Sequence, residues 1–138
     1  MNQLATGRCL CGGIHYEFPR AAVLAAGHCH CTDCQKATGS GKATIVFVEA
    51  AALNIDGELR SFTVTGSEGT QVTRSFCPTC GSPLISSVAE QPGLVFIKAG
   101  SLDTSDWVNP SASYWTCSAT RWDPVQPATQ QHPRNPAP

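Results

Sequence analysis

The 138-residue chain predicts a mainly β fold of short strands, with one short helix. Three observations predict it. Apolar and β-branched residues fall in short runs separated by Gly, Pro, Asp and Ser. One stretch alone carries both helix start and stop signals. Seven of the eight cysteines sit in three tight groups, which suits a chain stapled by metal.

Strands are expected at residues 14–18, 22–29, 43–48, 53–57, 60–64, 70–76, 84–88 and 94–99. The run at 43–48 holds Thr44, Ile45, Val46 and Val48 around Phe47, and is the expected centre of a sheet. The helix is expected from Thr32 to Thr38. Thr32 or Asp33 is the expected cap, and Gly39-Ser40-Gly41 ends it. From about Trp122 the chain turns Pro- and Gln-rich and lacks apolar content to pack. The division expected is one domain over residues 1–122, followed by a loosely draped or disordered tail over 123–138. Trp107, Trp115 and Trp122 are expected to close the edge of the core.

The net charge is -1, and Lys and Arg are scattered. No basic stripe attracts nucleic acid or an anionic membrane. Residues 1–8 have no apolar signal core, and no apolar stretch approaches the roughly 20 residues of a membrane helix. The expected compartment is the reducing cytoplasm, where clustered cysteines are metal ligands or catalytic groups rather than disulfides. Oligomeric state is left open.

The thiols then fall into two sets. Cys77-Pro78-Thr79-Cys80-Gly81 brings two sulfurs together in one tight turn. The rival reading, a redox dithiol, needs a helix start, and Gly81-Ser82-Pro83 argues against one. In Cys9-Leu10-Cys11-Gly12-Gly13, an extended backbone would put both sulfurs on one face. Together the pairs supply four thiolates, the ligand set of a closed structural zinc. Cys29, Cys31 and Cys34 remain. Alternation places Cys29 and Cys31 on one face and His28 and His30 on the other, and Cys34 returns from the first helical turn. Three ligands and one open position is the pattern of a catalytic zinc. The alternative is that His28, His30 or Asp33 closes the site. Cys117 stands alone and reads as a small buried hydrophobe. His15 and His132 read as incidental.

With these groups placed, the chain resembles the glutathione-dependent formaldehyde-activating enzyme family, which includes centromere protein V-like domains. The matching stretches are Gly7-Arg8-Cys9-Leu10-Cys11-Gly12-Gly13-Ile14-His15-Tyr16-Glu17 and Cys29-His30-Cys31-Thr32-Asp33-Cys34-Gln35-Lys36-Ala37-Thr38-Gly39-Ser40. They continue in Arg74-Ser75-Phe76-Cys77-Pro78-Thr79-Cys80-Gly81-Ser82 and Ala99-Gly100-Ser101-Leu102-Asp103. The resemblance implies a β-tent fold of small antiparallel sheets. It implies Cys9, Cys11, Cys77 and Cys80 as structural zinc ligands, and Cys29, Cys31 and Cys34 as catalytic ones. It also implies carbon–sulfur lyase chemistry, joining glutathione and formaldehyde into S-hydroxymethylglutathione.

Zinc with three thiolates counts to a net charge of -1. It is a poor electrophile, but suited to holding an incoming thiol deprotonated. The cationic candidates for glutathione's carboxylates are Lys36, Lys42, Arg74, Lys98 and Arg121. The rival to the lyase is a non-catalytic binding module of the same fold, with one zinc and a closed or empty middle cluster.

Overall fold

A computed structural model describes residues 3–135. The first two residues of the N-terminal stretch and the last three of the tail lie outside the described residues. Along the chain run β1 (Leu4–Arg8), β2 (His15–Pro19), β3 (Val23–Cys29), the helix α1 (Thr32–Thr38), β4 (Ala43–Glu49) and β5 (Asn54–Asp56). Then follow β6 (Arg60–Thr65), β7 (Gln71–Phe76), β8 (Pro83–Val88), β9 (Leu94–Lys98), β10 (Ala112–Tyr114) and β11 (Gln130–Gln131). The fold is mainly β, as expected, and every expected strand is present with ends within about a residue.

Two sheets form. One has three antiparallel strands in the order β1-β2-β5. The other has eight, in the order β11-β10-β3-β4-β9-β8-β7-β6. The eight-stranded sheet is antiparallel from β3 to β6, but β10 runs parallel to both β3 and β11. Sequence reading missed β1, β10 and β11, because each is short or weakly apolar and draws its stability from its neighbours.

Side chains alternate across the large sheet. One face carries Val46, Val48, Ile85 and Ile97 and packs on Ala5, Tyr16 and Phe18 of the small sheet. Phe18, Leu84, Ile97, Val46 and Val48 are fully buried there. Truncating a buried Leu or Ile to Ala costs about 2–5 kcal/mol. The opposite face carries Ile45 and Phe47 of β4, Phe96 and Lys98 of β9, Ser86 and Val88 of β8, and Val72 and Arg74 of β7. The register pairs Phe47 with Phe96, Ile45 with Lys98 and Arg74 with Ser86. This second face is the wall of a cavity.

The helix falls where its signals place it, but its cap differs. Cys31, not Thr32 or Asp33, is the N-cap, and its sulfur accepts from the Cys34 amide at 3.2 Å. Gly39 ends the helix in a left-handed conformation (φ 69°).

The C-terminal segment departs furthest from expectation. Rather than draping loosely, it packs. β11 pairs with β10, Thr129 is buried, and its hydroxyl bonds with that of Ser113 at 2.7 Å. Asp123 forms an ion pair with Lys42 at 2.8 Å. The segment is held by backbone pairing and buried polar contacts, which apolar content does not foretell.

The tryptophans divide. Trp107 closes the core, edge-on to Phe18 and under Arg20. Trp115 instead lines the cavity, and Trp122 is exposed.

Candidate metal centres and the cavity between the strands

The first thiol set joins two matching turns. After β1, the Cys9 amide donates to Ile14 oxygen and the Gly12 amide to Cys9 oxygen. After β7, the Cys77 amide donates to Ser82 oxygen and the Gly81 amide to Cys77 oxygen. Each turn needs a glycine with positive φ, Gly12 at 79° and Gly81 at 78°. Cys9 and Cys11 therefore converge from a turn, not from the extended backbone expected.

All four sulfurs lie within 4.8 Å of one another and none is bonded to another. The Cys9 and Cys11 sulfurs are 3.6 Å apart, and those of Cys11 and Cys77 3.8 Å. Backbone amides point at them: Ile14 at Cys9, Gly13 at Cys11, and Thr79 and Cys80 at Cys77. Such amides favour thiolate over thiol. The Ser82 hydroxyl is the main cause that lowers the Cys80 thiol to about 5. Four sulfurs packed this closely could hold a metal ion, and the donor set is consistent with zinc.

The second set lies at the join of β3 and α1. Cys29 ends the strand, Cys31 caps the helix and Cys34 sits in its first turn. These three sulfurs also lie within 4.8 Å of one another. Hydrogen bonds from Cys29, then from Cys31, push the Cys34 thiol strongly down, while hydrogen bonds with Cys31, then with Cys34, push Cys29 up. The trio thus carries thiolate character around Cys34 and fits a soft divalent ion.

Among the described residues, no histidine or carboxylate joins this trio. His28 bonds with the Thr44 hydroxyl at 2.8 Å and the Gln126 side chain at 3.0 Å. His30 is fully buried, and neither ring nitrogen has a hydrogen-bond partner. Burial lowers the pKa of both rings.

The trio opens on a cavity of about 690 Å3. Phe96, Phe47 and Tyr114 form an aromatic row along it, and His132 stacks behind Tyr114 outside the lining. Phe47 meets Phe96 edge-on at 5.0 Å, stacks on Tyr114 at 6.3 Å, and Tyr114 stacks on His132 at 5.3 Å. Two of the five candidate cations line this cavity, Arg74 and Lys98. Arg74 Nη2 approaches Cys34 Sγ to 3.8 Å. Lys42 is instead paired with Asp123, while Lys36 and Arg121 lie outside the cavity and are exposed. At the mouth, Trp115, Asn135 and Glu68 face one another. Sequence reading missed Phe47, Phe96, Ser86, Trp115 and Asn135 as lining residues. The available signal was a strand apolar on both faces, as β4 is.

Cys117 is exposed rather than buried. His15 is exposed and paired with Asp56 at 3.2 Å. Among the described residues, no helix is long and apolar enough to cross a membrane.

Comparison with curated proteins gives no match. A crystal structure of a Rhodobacter sphaeroides protein shares the fold, with a TM-score of 0.56 and 21% identity, over 76% of this chain and 91% of that one. The sequence pattern described as glutathione-dependent formaldehyde-activating enzyme matches residues 4–118, a span that contains both thiol sets and every strand but β11. The chain belongs to the glutathione-dependent formaldehyde-activating enzyme family.

Proposed function

We propose that this chain is a zinc-dependent carbon–sulfur lyase acting on a small thiol or a thiol–aldehyde adduct, with glutathione and formaldehyde as the pair that the family name carries. One observation supports it above the rest. Three sulfurs converge in the lining of a ligand-sized cavity, and among the described residues no histidine, carboxylate or further cysteine joins them. In this reading Cys9, Cys11, Cys77 and Cys80 hold a structural zinc. Cys29, Cys31 and Cys34 hold a catalytic one. The reducing cytoplasm is the compartment that suits it.

A zinc at the trio would supply a position where an incoming thiol is held as its thiolate. The remaining work belongs to the chain. The aromatic row of Phe96, Phe47 and Tyr114 keeps water away from the reacting sulfur. The substrate sulfur donates its electron pair to the aldehyde carbon, and the carbonyl electron pair moves to oxygen. The proton lost by the thiol ends on the new hydroxyl. The reverse sequence breaks the carbon–sulfur bond.

The test is Cys31→Ser with a metal count by native mass spectrometry and turnover of glutathione plus formaldehyde. The expected protein is folded, holds one metal instead of two, and is inactive. Undiminished activity in that variant would reject the proposal. A wild-type chain that takes only one metal at saturation would make it a binding module instead.

A further inference from the structure

Arg74, half-buried, and Lys98, buried, are cations of an unusual kind. Lys98 is only 9% exposed, and its Nζ donates to the Ser86 hydroxyl at 3.2 Å. The Arg74 Nε is buried with no hydrogen-bond partner. Three side-chain ion pairs occur among the described residues, and neither cation belongs to one. A buried charge without a partner is costly, so such groups normally carry one. Three carboxylates share the cavity, Asp33, Glu68 and Glu90, and all three are exposed. Glu68 accepts from Asn135, and Glu90 accepts from the Gln71 amide. Water screens all three.

The anions beside these cations are the three cysteine sulfurs. Arg74 Nη2 lies 3.8 Å from Cys34 Sγ, and Lys98 lines the same cavity as all three cysteines. Charge counting then gives a match. Three thiolates around a divalent ion carry -1. A fourth thiolate makes -2, and Arg74 with Lys98 supplies +2. Resting on the reading of the trio as a zinc site, we propose that Arg74 and Lys98 are counter-ions for a fourth, incoming thiolate. In this role they select a ligand for its ionisable sulfur rather than for a carboxylate. They act as positioning residues that make the doubly negative centre tolerable inside the fold.

The test uses the full chain loaded with Co2+, whose sulfur-to-metal charge-transfer absorption reports thiolate ligation. The four-cysteine centre gives a constant background. Titration with 2-mercaptoethanol, which has no carboxylate, is compared with mercaptoacetate, which has one. Wild type is expected to gain thiolate absorption with both. Lys98→Met and Arg74→Met are each expected to bind both probes at least about ten-fold more weakly, well within the ~1000-fold that one charge at about 4 Å is worth at an effective dielectric of about 20. Lys98→Arg is expected to restore binding. Equal affinity in wild type and both Met variants overturns the inference and leaves the lyase reading standing. A loss confined to mercaptoacetate also overturns it, because the cations then grip a carboxylate. Release of the cavity metal from the Met variants before thiol is added overturns it too, since the cations would then serve the three-thiolate state. No thiolate absorption in wild type defeats both readings.

Discussion

The indole nitrogen of Trp115 donates to the side-chain oxygen of Asn135 at 2.9 Å, and the Asn135 amide reaches Glu68 at 3.4 Å. This chain of contacts crosses the mouth of the thiol-lined cavity. It ties the C-terminal segment to the turn between β6 and β7. Trp115 holds a positive φ of 56°, rare for a bulky residue, and Arg134 stacks over its ring. The segment from Ala119 onward lies outside the matched family region, so this closure is a feature of this chain beyond that match.

Asn135→Ala should open the mouth. A hydrogen bond is worth about 1 kcal/mol, or about five-fold in an opening equilibrium. Alkylation of metal-free Cys29, Cys31 and Cys34 by iodoacetamide, read by peptide mass, is expected to speed up by about that factor. Cys9 and Cys77, buried at the other centre, are expected to keep their rates. Equal acceleration at both centres would mean general loosening instead.

Substitutions at the two centres should separate stability from chemistry. Cys77→Ser removes one sulfur from the four-cysteine set that joins the turn after β1 to the turn after β7. Structural metal binding is coupled to folding, so the loss should consume much of the ~5–15 kcal/mol of net stability typical of a domain. Thermal unfolding with parallel metal analysis checks this. Slow chelation of wild type is expected to unfold the chain only as the four-cysteine centre empties.

Cys31 has a second task as the N-cap of α1. With the four-cysteine centre loaded and the trio empty, Cys31→Ala is expected to cost about 1 kcal/mol relative to wild type. Cys31→Ser keeps a capping acceptor and is expected to be close to neutral. Denaturant midpoints of the three proteins, each measured at one metal per chain, test the difference. Equal losses for Ser and Ala would show that the cap contributes little.

Gly27 marks the parallel join of β3 and β10. A Cβ there would lie 2.9 Å from Tyr114 Cε2 and 3.0 Å from Ala112 oxygen. Gly27→Ala therefore pushes β10 away and costs about 1–3 kcal/mol, or about 5 °C or more in Tm. Tyr114 is displaced from its stack on Phe47, and near-ultraviolet circular dichroism should record that change.

The sequence carried the strands between residues 14 and 99 because their side chains pay out a periodic apolar signal and their turns are punctuated by glycine and proline. The thiol grouping was legible because cysteine spacing reports turn geometry directly. Much else was not legible. β10 has three residues and β11 two, and each is a strand only because a neighbour supplies hydrogen bonds. The capping sulfur of Cys31 was hidden by the ligand reading of the same atom. Arg74 and Lys98 looked like any solvated cations, since burial is a property of the assembled sheet.

The alternation along β4 and β9 also separates two kinds of evolutionary freedom. Val46 and Ile97 hold the molecule together, while Phe47 and Phe96, one position away, shape the chamber. A lineage could trade one aromatic for another and admit a different guest without touching the interior. A deletion of one residue within either strand would exchange both roles at once, so such strands should vary by substitution and resist changes of length.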